Sequence, residues 1–551
     1  MENLKTPIEM LYHWEQTTPD KLFMRQPVDG TWHTFTWKQA AGEVRKLAAV
    51  LQSYNLPPQS RIALVSKNCA HWMIADLAIM MAGYQSIPVY PNVNAETLNY
   101  VLQHSEAKIL LVGKLDDWNF MKAGVPDGVQ CISFPWYGPK QNGFHYWEEL
   151  VKDIKPIVGY PKNNPDDVMT IIYTSGTTGK PKGVVHTFRN FAWATTTGKD
   201  LVGLKDGEER LFSYLPLSHI AERMLIEMVG IYTNSEIWFA ETLDLFVKNL
   251  AEAQPTIFLG VPRIWTKFQM GILAKLPQKK LDLLLSIPIV KNIIAAKIKK
   301  GLGLNKCRLA LTGSAPIATS LVSWWAKLGI DIAEVYSMTE NCAISHFNHK
   351  PDFKAGTVGK PMPGVEFKFS ESNEILVKVP CNMKGYYREP EMTAAALQDG
   401  WLYTGDRGVV DADGFLKITG RVKEIFKTDK GKYVSPSPIE MKVLKNQLVE
   451  QICVVGSSLP QPIGLLVLSV DGKTKDRNML QQSLVETLQQ VNRELEKHER
   501  LQKMIVMKEE WTIENGLLTP TMKIKRNPIE DKYQPHYEIW YNQTDTVIFE
   551  N

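Results

Sequence analysis

The sequence predicts an α/β protein in two parts: a large N-terminal domain of mainly parallel sheets with helices plus an antiparallel β subdomain, residues 1–420, then a small α+β C-terminal domain, residues 421–551. Three observations carry this. Short β-branched runs alternate with helical patterns, as they do where buried parallel strands are joined by helical crossovers. From about Val365 the texture changes to strand-like segments separated by closely spaced Gly and Asp, which suggests antiparallel hairpins. After Gly420 the chain holds further strand runs and one long amphipathic pattern, enough for a domain of its own.

In chain order, RIALVSKN (Arg61–Asn68), AKILLVGK (Ala107–Lys114), DVMTIIYT (Asp167–Thr174), PTIFLGV (Pro255–Val261) and CRLALTGS (Cys307–Ser314) are the expected buried strands. Each is short, apolar and bounded by polar residues or Gly. The most apolar stretch is MIADLAIMMAGYQSIPV (Met73–Val89). It carries Asp76 and Gln85 and is too short to span a bilayer, so it reads as a buried core helix. GVEFKFSESNEILVK and GFLKITGRVKEIFK supply the hairpins. In the tail, EQICVVGS and IGLLVLSV read as strands, and Asn478–Arg500 reads as the amphipathic helix.

Composition bounds the function class. Hydrophobic residues make up 44% of the 551 and charged residues 22%, which is ordinary for a folded globular chain and argues against long disorder. A net charge of +4 gives no electrostatic reason to expect nucleic acid as a partner. Six scattered cysteines without a C-x-x-C pair speak against a disulfide framework or a zinc site and for a reducing compartment. The opening MENLKTPIEMLYHW lacks the basic-then-apolar layout of a signal peptide, so the expected location is the cytoplasm.

The chemistry concentrates in TIIYTSGTTGKPKGVVHT, Thr170–Thr187. A strand through Val168–Thr174 runs into a loop whose glycines Gly176 and Gly179 permit close backbone approach. Successive N–H groups in such a loop form an anion-binding concavity. Thr174, Ser175, Thr177 and Thr178 add hydroxyl donors, and Lys180 and Lys182 add countercharge. The parts suit a polyphosphate, but the spacing G-T-T-G-K-P is not that of a Walker loop. A plain Gly/Ser/Thr linker is the competing reading. Two features oppose it: the loop leaves a buried strand directly, and Lys180-Pro181-Lys182 stiffens it.

YTSGTTGKPKG closely resembles the phosphate loop of the adenylate-forming superfamily of AMP-binding enzymes. Further motifs of that family follow in order: YLPLSHIAER (Tyr214–Arg223), LTGSAPI (Leu311–Ile317), VYSMTE (Val335–Glu340), DGWLYTGDRG (Asp399–Gly408), ITGRVKEIFKTDKGKYVSPSPIE (Ile418–Glu440) and LTPTMKIKR (Leu518–Arg526). LPLSHIAER and the DGWLYTGDRG to DKGKYV run look most like long-chain fatty acyl-CoA synthetases. The resemblance implies a two-step reaction with ATP, Mg²⁺ and CoA: a fatty acid becomes acyl-AMP, and a thiol then displaces AMP. It implies that the phosphate loop holds the β- and γ-phosphates, that Glu340 holds Mg²⁺ and that Thr339 contacts the α-phosphate. It implies an adenine site at Gly313, Ser314, Ala315 and Tyr336, and a ribose contact at Asp406, with Arg421 on ribose or phosphate. Lys523 matches the lysine of the adenylation step, although Met522 precedes it where relatives commonly have Gly. Lys423 takes the hinge position about which the C-terminal domain rotates, and His219 takes a place in the acyl pocket wall. Gly431 and Lys432 border the CoA path. The alternatives are a ligase for an aryl or other acid, transfer to a carrier protein, and an inactive nucleotide-binding homologue.

One segment is left over. Leu273–Lys306 holds eight lysines against the single acidic Asp282, interleaved with Leu and Ile around Pro288. It reads either as a solvated lysine face over ordinary core or as a contact with anionic membrane.

Overall fold

The β-branched runs become the central strands of two large sheets. In a computed structural model, which describes residues 4–174 and 180–550, the chain divides into two units. One takes Met1–Thr174, Lys180–Phe367 and Val377–Leu402, and the other takes Lys368–Leu376 and Tyr403–Asn551.

In the first unit an eight-stranded sheet runs in the order Gly385–Tyr386, Lys182–Thr187, Val168–Thr174, Gln85–Val89, Arg61–Val65, Ile109–Val112, Gln130–Ser133, Phe144–Tyr146. From Val168–Thr174 onward every pairing is parallel, whereas Lys182–Thr187 is antiparallel to both neighbours. The strands Gln85–Val89 and Ile109–Val112 are buried along their whole length, which is why they read as unbroken apolar runs.

The nine-stranded sheet runs Lys360–Pro361, His346–Asn348, Ile332–Tyr336, Leu309–Gly313, Ile257–Leu259, Arg210–Ser213, Glu236–Phe239, Leu22–Val28, Thr31–Thr36. Its interior pairings are parallel and its edges antiparallel. The mainly parallel architecture expected from strand–helix alternation is therefore present.

One expectation is corrected. Met73–Val89 is not a single helix: the helix is Ala70–Met81, and Gln85–Val89 is a strand. Gly83, at φ +83°, turns the chain between them. Full burial makes both halves equally apolar, so composition hides the change of period.

The second unit contains a four-stranded sheet in the order Val449–Val455, Ile463–Leu468, Lys503–Val506, Val547–Phe549. Its first pairing is antiparallel and the next two are parallel, an α+β arrangement. The amphipathic helix is Arg477–Arg493 and buries Leu480, Leu484, Leu488 and Val491 in the core of this unit. It stops short of Arg500 because Asn492 turns the chain back, accepting from Leu501 N at 2.9 Å and donating to its carbonyl at 2.8 Å. Strand Trp401–Val410 pairs antiparallel with Leu416–Arg421, as the Gly- and Asp-rich texture suggested. No helix among the described residues is long and apolar enough to cross a membrane.

Candidate active site

Parallel strands that end on one side of a sheet create a crevice lined by their C-terminal loops, where ligands bind in open α/β sheets. In the first unit Thr174 ends such a strand, and Lys182 stands opposite it in the antiparallel register. Ser175, Gly176, Thr177, Thr178 and Gly179 lie outside the described residues. The ammonium of Lys180 lies 5.7 Å from the Tyr100 ring centroid, and that of Lys182 lies 5.2 Å from the Tyr386 centroid.

The other sheet contributes the ends of Leu309–Gly313 and Ile332–Tyr336, with Gly313 in register with Val335. A Cβ on Gly313 would stand 3.1 Å from the Val335 carbonyl oxygen, so a side chain there would crowd the neighbouring strand. Ser314 follows at φ +66°, and Ser314 and Ala315 are exposed beside the half-buried Tyr336. The chain then makes a single turn, Thr339–Asn341.

That turn is fastened to the other sheet by two side chains the sequence reading did not single out. The Tyr386 hydroxyl donates to Glu340 Oε1 at 2.8 Å. Burial, and then the nearby Glu340 carboxylate, pushes the Tyr386 phenol well up, so it stays a donor. His186 Nε2 donates to the Thr339 carbonyl at 2.7 Å while its Nδ1 accepts from Asn190 at 3.1 Å. Burial holds this imidazole down at about 4, which agrees with the neutral tautomer those contacts require. Thr339, Glu340 and Lys182 are thereby brought together through the Lys182–Thr187 and Gly385–Tyr386 strands. His186 stands within the Thr170–Thr187 stretch itself, whereas nothing in spacing marks Tyr386.

The Tyr214–Arg223 segment sits beside a buried polar network. His219 caps the short helix that follows, its Nδ1 accepting from Ala221 N at 3.2 Å. Glu222 Oε1 accepts from Ser213 Oγ at 3.0 Å, Tyr214 N at 2.8 Å and Asn68 Nδ2 at 3.2 Å. Arg223 is fully buried. It donates to Asp76 Oδ2 at 2.5 Å, Thr170 Oγ1 at 2.7 Å and Glu227 Oε2 at 3.3 Å. Burial and then Asp76 raise the Glu227 carboxyl well above its ordinary range.

In the second unit, Asp406 and Arg421 face each other in the antiparallel register and pair at 3.0 Å, Oδ1 to Nε. Lys423 lies in the single turn Val422–Glu424 that follows. Lys523 closes a tight turn: Thr519 N donates to its carbonyl at 2.8 Å, and its own N–H donates to Thr519 Oγ1 at 3.1 Å. Met522 adopts φ +62° in that turn, the left-handed conformation that glycine takes at least cost. Loss of solvation and then the Arg421 charge pull the Lys523 ammonium down, opposed by Asp406 and Glu424. Behind the turn, Arg526 donates to Glu440 at 2.6 Å and to the Val454 carbonyl at 2.7 Å, which ties the last two motifs together. Gly431, at φ +76°, and Lys432 form the exposed tip of a hairpin, in which Thr428 N donates to the Lys432 carbonyl at 2.9 Å.

Phosphate-suited groups at the ends of a parallel sheet, with an acidic turn held beside them, define a nucleotide-using α/β enzyme. Residues 11–387 match the AMP-binding enzyme family, and residues 424–545 match the AMP-binding enzyme C-terminal domain. A long-chain-fatty-acid–CoA ligase of Mycobacterium bovis is 31% identical over 590 aligned positions, covering 97% of this chain and 96% of its own. A long-chain-fatty-acid–CoA ligase of Homo sapiens is 27% identical, covering 93% of this chain and 88% of its own. Among solved structures, the adenylation domain of a carboxylate reductase from Mycobacterium chelonae superposes with a TM-score of 0.80 at 20% identity, covering 98% of this chain and 92% of that one. The chain belongs to the AMP-binding enzyme family.

Proposed function

We propose that the protein is an ATP-dependent fatty acyl-CoA ligase acting on long- or medium-chain acids. A carboxylate oxygen attacks the α-phosphorus of ATP and pyrophosphate leaves; the CoA thiol then attacks the acyl carbonyl and AMP leaves. The observation that carries this reading is a carboxylate and a cation held on one tyrosine: Glu340 by hydrogen bond and Lys182 over the ring of Tyr386, at the C-terminal strand ends. The 31% identity to a long-chain-fatty-acid–CoA ligase along nearly the whole chain supports the substrate class.

The first step brings an anion to a polyanion, so the site's task is to neutralise charge and align the attack. Thr174, Lys182 and the loop between them would receive the β- and γ-phosphates, and Thr339 the α-phosphate. Glu340 fits Mg²⁺, because a carboxylate has four lone-pair positions and the Tyr386 hydroxyl occupies only one oxygen. Bound Mg²⁺ supplies countercharge to the phosphates. Gly313, Ser314, Ala315 and Tyr336 receive the adenine, Asp406 the ribose hydroxyls, and Arg421 ribose or phosphate. His219 contributes to the acyl pocket wall, and Lys523 gives the adenylation step its cation. Residues 421–551 turn about Lys423 between the half-reactions, and Gly431 and Lys432 border CoA. The setting is the cytoplasm, where ATP and CoA are at hand.

The test is ATP–pyrophosphate exchange followed by CoA-dependent AMP release, across saturated acids of rising chain length and a set of aryl acids. Exchange and AMP release that peak with medium or long chains are expected. Turnover confined to aryl acids overturns the substrate class, exchange without CoA-dependent release points to another acceptor, and no exchange with any acid overturns the ligase.

A further inference from the structure

The basic segment left unassigned by the family motifs forms the outer side of the first unit. It folds as the helices Pro262–Lys275, Gln278–Ser286 and Pro288–Leu302, the last two separated at Ile287–Pro288. Their inner residues Trp265, Phe268, Leu281 and Ala295 join the core around Trp325. Their outer side carries Leu283, Ile287, Ile289 and Ile293, which are 65%, 46%, 76% and 61% exposed. Leaving four large aliphatic side chains in water between positions 283 and 293 is unfavourable unless something covers them.

The rim of this patch is cationic. Lys279, Lys280, Lys291, Lys297 and Lys300 are exposed around it, and Asp282, the one acid of the segment, is drawn off to Lys327 at 3.4 Å. Ile289 and Ile293 are one helical turn apart and share a face, which continues into Lys297 and Lys300. Aliphatic tips ringed by lysines match a bilayer surface, where the tips enter the acyl boundary and the ammonium groups rest among anionic headgroups. A second copy of this chain would instead bring lysines against lysines.

We propose that the outer side of Gln278–Lys300 is a docking surface for anionic membrane, lying in the interface with Leu283, Ile287, Ile289 and Ile293 inserted. The inference stands on this surface and not on the activity proposed above. Binding is measured without substrate, by co-sedimentation of the full chain with vesicles of phosphatidylcholine alone and of phosphatidylcholine mixed with phosphatidylserine. The wild type is expected to sediment with the anionic vesicles and to be released by salt. The pair Ile289→Ser and Ile293→Ser, and separately the triple Lys291→Gln, Lys297→Gln and Lys300→Gln, should each weaken that binding by at least about tenfold. All substitutions are at exposed positions, and ATP–pyrophosphate exchange with a soluble acid should stay at the wild-type rate, which checks the fold. Equal binding to both vesicle types, no binding, or variants that bind like the wild type would overturn the proposal. So would self-association that the isoleucine pair abolishes in a protein that ignores vesicles.

Discussion

A carboxyl group with three donors on one oxygen and no described partner on the other has lost more hydration than it regains, and Glu222 is in that position. Burial therefore pushes it up to about 8 from an ordinary 4.5, against the donors that pull it down. The folded state holds this proton between those values and the unfolded state does not, so Glu222's contribution to stability is greatest at the acid end and fades as pH rises through the window. Glu222→Gln keeps the shape and removes the titration. In urea unfolding followed across pH 4.5 to 8, the variant should lose less stability with rising pH than the wild type; parallel profiles would show that the proton is not held there. Glu340 makes the complementary case. Glu340→Gln keeps the shape of the group facing Tyr386 and deletes its charge, and the Mg²⁺ needed for half-maximal pyrophosphate exchange should rise about tenfold or more. An unchanged titration removes Glu340 from the metal. Glu222 carries no such mark in the sequence, whereas Glu340, Thr174 and Lys182 could be proposed from it because their chemistry is in the side chain: a carboxylate, a hydroxyl or a lysine beside glycines says what it could bind. Tyr386 and His186 were not legible, because an aromatic and a histidine among apolar neighbours are ordinary core until the fold shows which backbone or carboxylate they reach.

At the scale of elements, the same contrast separates runs from junctions. Short apolar runs predicted the strands, since a parallel strand covered on both faces must be apolar throughout. Met73–Val89 defeated that logic: one apolar run holds a helix and a strand, and only the turn at Gly83 divides them. Junctions between sheets were also hidden, because they depend on residues far apart in sequence. Arg223, from the segment after a strand of the nine-stranded sheet, joins Asp76 and Thr170, which belong to the eight-stranded sheet and its helix. Removing one partner leaves the other charged and buried, so Arg223→Ala should cost about 3–5 kcal/mol. Adding Asp76→Asn should recover part of that loss, and a double cycle that is purely additive would mean the pair does not interact. The Lys523 turn gives a smaller test. Met522 already sits at φ +62°, where a β-branched residue fits worst, so Met522→Val should destabilise the turn by about 1 kcal/mol or more while Met522→Gly is tolerated. Under the role proposed for Lys523, pyrophosphate exchange should fall for Val and hold for Gly; equal rates would show that the turn does not set the lysine's position.

At the scale of the whole molecule, the groups assigned to one reaction are divided between two units. Thr174, Lys182, Thr339 and Glu340 belong to the first, and Asp406, Arg421 and Lys523 to the second. A reaction in two steps can use that division, since the cation that serves phosphoryl displacement has no task once AMP is to leave. Lys523→Ala should therefore abolish pyrophosphate exchange and leave the conversion of supplied acyl-AMP to acyl-CoA much less affected; equal losses in both would contradict a role confined to adenylation. If a movement separates the two steps, some residue must absorb the backbone rotation. The proposed hinge, Lys423, lies in the one-turn segment Val422–Glu424 directly after the strand that carries Arg421. Proline suits such a turn, because its φ near −65° falls within the range of a 3₁₀ segment, so Lys423→Pro should fold. It cannot leave that φ, however, and a residue that must do so for the second step would be held in one state. The expected phenotype is asymmetric: pyrophosphate exchange near the wild-type rate and CoA-dependent AMP release reduced at least about tenfold. Lys423→Ala, which keeps φ free and removes the charge, separates the hinge from the side chain and should retain both activities. Full overall turnover in Lys423→Pro would place the rotation elsewhere, and the same loss in Lys423→Ala would assign the effect to the ammonium group instead of the backbone.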